Sequence, residues 1–357
     1  MAGSNKITAR LMLVVLGLLG FGLLMVYDSS SSVADRQFAD KWYFFKDQLR
    51  WIFLGIWAMI VGSVIPYKVW SRFALVILVV AFILLMGVFI PGIGIKAYGA
   101  SRWLNLHLFT LQPSEFAKLG LVIYLAAWFG NREKGRLMAF VLLMGVLAAL
   151  IILQPDMGTA MVLAITGVGM YFLMGAPLWH FLAILPAGVV AAIAMILVAP
   201  YRFKRLSAFL ELGTDPAGGS YHVRQALIAL GSGGLFGLGL GNSRQKYSYL
   251  PESFTDSIFG IIGEEVGFVG CLILILTFIY LLFLGFKISW MTKDRFGSLL
   301  AGGISIWLAV QTLINLGAMM ATIPLTGVPL PFISYGGSAL VTELFAVGIL
   351  LNISKSI

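Results

Sequence analysis

Residues 257–286 read SIFGIIGEEVGFVGCLILILTFIYLLFLGF, and this stretch decides the fold class. From Val266 to Phe286 it carries no charged residue. An uncharged apolar run of about 20 residues is typical of a helix that spans the hydrocarbon core of a bilayer. A window of about 19 residues, moved outward along the chain, predicts ten such spans. They lie at 10–27, 48–65, 73–90, 113–130, 137–154, 157–175, 179–199, 257–286, 297–319 and 338–353.

The composition agrees with a membrane protein and excludes other classes. The chain has 357 residues, of which 60% are hydrophobic and 11% are charged. A soluble domain has about 25% charged residues, so a soluble enzyme and a disordered scaffold are both excluded. We predict an all-α polytopic membrane protein of ten transmembrane helices, with residues 1–357 as one membrane domain. The lone Cys271 and three histidines provide neither a disulfide framework nor a zinc cluster, and no cofactor is evident.

The distribution of basic residues indicates the orientation of the chain. The 24 lysines and arginines are spread over the loops, which argues against a nucleic-acid partner and leaves membrane lipids. The lysines and arginines in the short loops and beside the spans favour cytoplasmic termini. The first span is then expected to be an uncleaved membrane anchor. Segment 200–256, between the seventh and eighth spans, is then a long extracytoplasmic loop. Its leucines, interleaved with glycines, are more typical of a surface-lying or re-entrant segment than of a solvated linker.

Carboxylates near membrane depth are functional candidates because burying a charge in lipid is costly. Glu115 and Lys118, three residues apart, predict an ion pair that is either structural or in contact with substrate. Asp156, in a turn between two spans, either caps the next helix or has a functional role. The same alternatives hold for Asp256. This carboxylate lies at an apolar boundary beside Phe254, where partial desolvation raises its pKa and makes it a better proton acceptor.

The long loop also carries cations suited either to phosphate and pyrophosphate or to anionic lipid headgroups. These cations are Arg202, Lys204, Arg205, Arg224, Arg244 and Lys246. His222, three residues before Gln225, is more typical of a hydrogen-bonding loop residue than of a metal ligand.

Two further groups of polar residues lie next to predicted spans. Glu264 and Glu265 cannot both share one helix face with Asp256, at about 100° per residue, so we predict no metal cage made of the three. Ser334 and Tyr335, in the loop before the last span, are placed either to hydrogen-bond a sugar or to pack against the protein.

Six motifs stand out along the chain. They are QPDMGT (154–159), YHVRQ (221–225), GSGGLFGLGLGNS (231–243), QKYSYLPESFTD (245–256), GEEVGFVG (263–270) and GVPLPFISYGGS (327–338). Together with stretch 99–118, they resemble the SEDS family of shape, elongation, division and sporulation proteins. The resemblance covers nearly the whole chain and ten spans in the expected order.

The resemblance implies a peptidoglycan glycosyltransferase that polymerises lipid II on the outer face of the bacterial cytoplasmic membrane. It implies that Asp256 is the family's essential aspartate, and that a class B penicillin-binding protein, a transpeptidase, is the partner. The sequence departs from the family pattern at Phe254, often His, and at Ser257, often Phe, but keeps the carboxylate. Other positions that the resemblance assigns to the cavity or to the outer surface are Arg102, Trp103, Glu115, Lys118, Lys246 and Glu252.

The chemistry of the residues agrees with that activity. Transfer to a sugar hydroxyl of the growing glycan strand needs a base, and the departing undecaprenyl pyrophosphate needs cations. Asp256 supplies the base or orients the acceptor. A β-1,4 bond made from an α-linked pyrophosphate is an inverting displacement, which a divalent cation, magnesium or manganese, would assist. Candidates for pyrophosphate contact are Arg102, Lys118, Arg202, Arg205, Arg224 and Lys246.

Two other functions are compatible with ten spans. A lipid II flippase would predict paired broken helices in two related halves, which the sequence does not show. A scaffold for the transpeptidase would tolerate Asp256→Asn, whereas a general base would not. Within the family, segments 25–33, 48–51 and 241–246 look more like the division member FtsW or the sporulation member SpoVE. His222 after Tyr221 looks more like the elongation member RodA, and the balance favours FtsW.

Overall fold

The computed structural model describes residues 2–97, 100–105, 109–131, 137–210, 220–247 and 249–357. In these ranges the chain forms twelve helices and three short strands. The helices are α1 (Ala2–Phe38), α2 (Tyr43–Val64), α3 (Tyr67–Gly87), α4 (Pro113–Gly130), α5 (Leu137–Leu153), α6 (Met157–Leu173), α7 (Leu178–Val198), α8 (Pro200–Leu210), α9 (Tyr221–Ser232), α10 (Ile258–Met291), α11 (Arg295–Met319) and α12 (Gly337–Lys355). The strands are β1 (Gly94–Ala97), β2 (Ala100–Asn105) and β3 (Thr110–Leu111).

The helices are those of a multi-pass membrane protein. Each of the ten predicted spans falls on a separate helix, α1 to α7 and α10 to α12. Six helices of the described chain are long and apolar enough to cross a membrane, namely α1, α3, α7, α10, α11 and α12. Helices α5 and α6 are apolar but have 17 residues each. The count of ten spans therefore stays a prediction.

A small antiparallel sheet makes the all-α prediction incomplete. Its strand order is β1-β2-β3, and Trp103 lies opposite Ile95 in the pairing of β1 with β2. The strands have four, six and two residues. Strands this short carry too few alternations for their period to be read from sequence.

Helices α11 and α12 lie in the centre of the bundle, and α7 lies at its edge. In the most apolar stretch of 18 residues, 83% of the residues are buried in α11 and 78% in α12. In the corresponding stretch of α7 none is buried. Most residues of α4 are buried as well. Many polar side chains on these central helices are therefore surrounded by protein and bond to one another or to nearby backbone.

The glycine-rich run after α9 packs along α10 and breaks it. The N–H groups of Leu238 and Gly239 donate to the carbonyls of Glu264 and Glu265, both at 3.0 Å. The α10 residues Phe268 and Val269 donate in return to the carbonyls of Gly234 and Leu235, at 2.9 and 3.0 Å. The long segment predicted as a loop is thus partly helical, in α8 and α9, and partly packed against α10. Residues 211–219 and 248 of this segment lie outside the described ranges.

Gly267, at the break in α10, is expected to tolerate no side chain. Its φ of 66° and ψ of −169° belong to a region that is almost exclusive to glycine, where another residue costs on the order of 1–3 kcal/mol. A Cβ there would also meet the backbone of residues 235–237. Gly267→Ala should therefore lower the melting temperature of the purified protein by several degrees. Gly231→Ala is the matched control, because Gly231 is helical and has open space around it. Equal melting temperatures for the two variants would contradict this account of the break.

Candidate active site at the start of α10

Asp256 lies in the turn that precedes α10. Ser257, and not Asp256, occupies the N-cap position of α10, and the Ser257 side chain makes no capping hydrogen bond there. The Asp256 carboxylate instead faces a cavity of about 210 Å³. The polar side chains around this cavity are Arg205, His222, Glu252, Asp256, Asn315 and Thr326. Its apolar wall is formed by Val223, Ala318, Met319, Leu325 and Val328.

The pKa of Asp256 is raised to about 6 in this cavity. Burial is the main cause, and the negative charge of Glu252 adds to it. The nearby Thr255 hydroxyl and the charge of Arg205 act in the opposite direction. At neutral pH the carboxylate is therefore mostly ionised, yet it is a stronger proton acceptor than an exposed aspartate.

In the turn that contains Asp256, three consecutive backbone carbonyls each accept a hydrogen bond from another part of the chain. The Tyr335 N–H donates to Phe254 O at 2.9 Å, and the Ser334 hydroxyl donates to Thr255 O at 2.6 Å. The Asn315 amide donates to Asp256 O at 2.7 Å. These contacts fix the position of the turn on the central helix α11 and on the loop before α12.

Ser334 and Tyr335, predicted either to bind a sugar or to pack against the protein, both make contacts within the protein. Besides donating to Thr255 O, the buried Ser334 hydroxyl accepts from Leu330 N at 2.8 Å. The Tyr335 hydroxyl donates to Asp47 at 2.7 Å, and its ring packs edge-on against Phe254. Burial and Asp47 raise the pKa of Tyr335. These contacts favour the packing alternative, and contact with a sugar stays a prediction.

His222 is confirmed as a hydrogen-bonding residue. Its Nε2 lies 2.7 Å from the Ser257 hydroxyl, and its ring also bonds the carbonyl of Pro251. Burial and the charge of Arg205 lower the pKa of His222 to about 4, so the ring is neutral at neutral pH. A neutral imidazole has one donor and one acceptor, which matches these two partners. Gln225 lies one turn further along α9, half-buried, and its contact with substrate stays a prediction.

Of the predicted pyrophosphate ligands, Arg205 is the one that lines the Asp256 cavity in the described chain. Its guanidinium reaches Leu325 O at 3.4 Å and stays exposed. Arg224 is exposed on α9. The side chain of Lys204 lies outside the described residues, and Arg244 is exposed next to Glu264, to which its backbone N–H donates at 3.0 Å.

Arg102 and Arg202 bind backbone carbonyls, and their contact with pyrophosphate stays a prediction. Arg102 donates to Gln154 O at 3.2 Å and to Pro155 O, and so holds the turn between α5 and α6. Arg202 donates to Ile152 O and to Met195 O, both at 3.0 Å. Their N–H groups stabilise the ends of the helices.

Asp156 and Trp103 lie near the same turn. Asp156 is the buried N-cap of α6 and accepts from the N–H and the hydroxyl of Thr159 at 3.1 and 2.8 Å. Its capping role, one of the two alternatives, is therefore confirmed. Trp103 is half-buried in β2. Substrate contact by either residue stays a prediction.

Lys246 is buried in an ion network, and its contact with pyrophosphate stays a prediction. Its Nζ lies 2.8 Å from Asp28 of α1 and 3.2 Å from Glu265 of α10. The pKa of Lys246 is raised, because these two carboxylates outweigh the effect of burial. Glu264 accepts from the Ser243 hydroxyl and from the N–H of Gln245 at 3.2 Å. Lys246 and both glutamates therefore fasten segment 243–247 to α1 and α10.

Glu115 and Lys118 form the predicted ion pair, with 2.8 Å between Oε2 and Nζ and both side chains 2% exposed. The pair does not line the Asp256 cavity. Lys118 continues to Gln311 at 2.7 Å, and Gln311 donates to Glu343 at 2.7 Å. Glu343, which has no basic neighbour in sequence, also accepts from Phe332 N at 3.0 Å. The structural alternative for the pair is therefore favoured over substrate contact.

Asn315, Gln311 and Gly327 are not among the residues that the sequence pattern singles out. Asn315 and Gln311 are polar side chains inside a predicted span, and that signal marks functional candidates. Gly327, with a φ of +73°, passes so close to the aspartate that a Cβ there would lie 3.4 Å from Asp256 Oδ2. Its proximity depends on folding that no local pattern reveals. Among the residues with described side chains, no three of His, Cys, Asp and Glu are grouped to hold a metal, and a divalent cation stays a prediction.

Comparisons with known proteins agree on one family. The model of the FtsW/RodA/SpoVE cell cycle proteins matches residues 9–357. Stage V sporulation protein E of Bacillus subtilis is 41% identical over 351 residues, which are 97% of this chain and 96% of that protein. A probable peptidoglycan glycosyltransferase FtsW of Trichlorobacter lovleyi is 41% identical over 97% of this chain and 93% of its own length.

Solved structures share the fold at lower identity. One is a chain of a peptidoglycan synthase complex that coordinates polymerization and crosslinking, with a TM-score of 0.80 and 25% identity over 97% of both chains. The rod shape determining protein RodA of Thermus thermophilus has a TM-score of 0.72 and 25% identity over 97% of this chain and 96% of its own.

Proposed function

The chain belongs to the FtsW/RodA/SpoVE family of cell cycle proteins, and from this membership we propose that it is a peptidoglycan glycosyltransferase that polymerises lipid II. The observation that carries the proposal is the cavity in which Asp256 and Arg205 meet. A base and a cation in one partly desolvated space are what transfer from a pyrophosphate to a hydroxyl requires.

The reaction uses the two charges in separate roles. Asp256 takes the proton of the acceptor sugar hydroxyl while that oxygen bonds to the anomeric carbon of the donor. The bond from this carbon to undecaprenyl pyrophosphate breaks, and Arg205 stabilises the negative charge on the leaving group. The α-linked donor becomes a β-1,4-linked product, so the displacement is inverting and needs no covalent enzyme intermediate.

The setting of this activity is part of the proposal. The loop charges favour cytoplasmic termini and an active site on the extracytoplasmic side of the membrane. A class B penicillin-binding protein is the proposed partner, supported by the likeness to a chain of a peptidoglycan synthase complex. The relatives at 41% identity are named FtsW and stage V sporulation protein E, which favours a role in division or sporulation over elongation.

The test is to supply purified lipid II to the detergent-solubilised protein, alone and with its transpeptidase, and to measure glycan strands. A glycosyltransferase yields strands and free undecaprenyl pyrophosphate. A flippase would instead move lipid II across vesicles without polymerising it. A scaffold would do neither, and either result would overturn the proposal.

The rate of polymerisation should fall as the pH is lowered through about 6, because the base must be ionised and the pKa of Asp256 is raised to about 6. Removing the charge of Glu252 lowers that pKa, since Glu252 is one cause of its elevation. In Glu252→Gln the acid limb of the kcat/KM profile, which reports the free enzyme, should therefore move to lower pH. An acid limb at the same pH in both proteins would show that another group controls the rate.

A further inference from the structure

Asn315 is a polar residue of α11 to which the reaction proposed above gives no role. It is 1% exposed and borders the cavity beside Asp256. Its Nδ2 donates to two backbone carbonyls, Asp256 O at 2.7 Å and Val328 O at 2.8 Å. One amide thus connects the turn that carries the carboxylate with the opposite wall of the cavity.

The orientation of this amide is fixed by its partners. Both partners are carbonyls, which only accept, so the NH₂ group must face them and Oδ1 must point away. Oδ1 has no hydrogen-bond partner among the described residues. A buried acceptor without a donor is unfavourable, and a side chain kept for packing alone would avoid it. What Asn315 supplies is therefore the pair of donated hydrogen bonds.

These two bonds act on the position of the carboxylate. Val328 follows Gly327, and a Cβ on Gly327 would lie 3.4 Å from Asp256 Oδ2. Segment 327–328 is thus the backbone that faces the carboxylate. Because Asn315 binds both this segment and the Asp256 carbonyl, it sets the separation between the carboxylate and the wall in front of it.

We propose that Asn315 is a positioning residue of the glycosyltransferase, which holds the Asp256 carboxylate at the distance where it accepts the proton of the acceptor hydroxyl. The inference rests on the proposed function and adds a residue to its site. Asn315 need not touch the substrate, because it acts through the backbone of Asp256 and Val328. A misplacement of about 1 Å in a reacting group lowers rates by about 10²-fold.

The test compares Asn315→Ala with Asn352→Ala in the full-length protein, by polymerisation of lipid II over a range of concentration and pH. Asn352 is the matched control, since its amide also donates to a carbonyl, Ser63 O at 2.9 Å, and accepts from Tyr67 N at 2.8 Å. We expect Asn315→Ala to lower kcat by about 10–100-fold while KM changes little. The acid limb of the pH–rate profile of Asn315→Ala should move to lower pH, because water then reaches the carboxylate and favours its ionised form. Asn352→Ala should keep the wild-type kcat and pH profile.

Several results would overturn the positioning role. One is a kcat for Asn315→Ala close to that of the wild type, and another is a rise in KM with kcat unchanged, which marks a substrate contact. If Asn315→Ala does not fold, Ser334→Ala removes the donor from the neighbouring Thr255 carbonyl and should show the same lower kcat and shifted pH profile. A wild-type kcat and pH profile for Ser334→Ala would then overturn the role.

The same experiment distinguishes a failure of the positioning role from a failure of the proposed function. Wild-type protein that makes no glycan, even with its transpeptidase, contradicts the glycosyltransferase itself. Active wild type, inactive Asp256→Asn and fully active Asn315→Ala contradict the positioning role alone.

Discussion

Asp256→Asn is expected to slow glycan polymerisation by about 10²–10⁴-fold, the range by which general acid–base catalysis accelerates a reaction. Asparagine has nearly the same shape and keeps the backbone carbonyl that accepts from Asn315. It cannot accept a proton from the acceptor hydroxyl at neutral pH. The turn should therefore remain in place while the base is lost. Initial rates with purified lipid II, and the melting temperature of each protein, provide the measurement.

Glu252→Gln is the matched control for this variant. Glu252 is the second carboxylate of the same cavity, but its side chain bonds the Thr255 hydroxyl at 2.9 Å and is exposed. We expect Glu252→Gln to retain most of the rate at neutral pH. If Asp256→Asn polymerises lipid II at nearly the wild-type rate, Asp256 only orients the acceptor, and the base is another group.

The sequence predicts the features of this site that are local. Each apolar run that predicts a span falls on a helix of the structure. The position of Asp256 at the apolar boundary predicts a raised pKa, in agreement with its burial in the cavity. The pairing of Glu115 with Lys118 follows from helical spacing alone. Each of these inferences needs only neighbours along one segment.

The roles of the cations could not be predicted, because they depend on contacts between distant segments. Lys246 meets Asp28, and Arg102 meets the carbonyl of Gln154. A basic residue in a loop is equally suited to a ligand and to a carbonyl or carboxylate of its own protein. Of these cations in the described chain, Arg205 lines the Asp256 cavity.

Lys118→Met should strongly reduce the amount of folded protein, with a destabilisation of about 3–5 kcal/mol. Methionine fills a similar volume but leaves the Glu115 carboxylate, 2% exposed, without its positive partner. Gln311 also loses the ammonium group that donates to its Oε1 at 2.7 Å. The melting temperature and the yield of monodisperse protein in detergent measure the effect.

Lys46→Met is the matched control for that substitution. Lys46 pairs with Asp40 at 2.9 Å, almost the same distance as in the buried pair, but the two side chains are 58% and 37% exposed. Water replaces the partner of an exposed charge, so the melting temperature should not change measurably. An equal loss of stability in both variants would show that the burial of Glu115 and Lys118 has no effect.

The double variant Glu115→Gln with Lys118→Met should recover most of the stability that Lys118→Met loses. It removes the second charge, and a buried pair replaced by neutral side chains of similar volume is often tolerated. Gln311 Oε1 keeps one donor, because Trp307 Nε1 also bonds it at 2.9 Å. If the double variant is as unstable as Lys118→Met, the stabilising contact is the bond from Lys118 to Gln311 rather than the ion pair. If the recovered protein also polymerises lipid II, the pair is structural. A stable but inactive double variant would instead indicate that Glu115 and Lys118 contact the substrate.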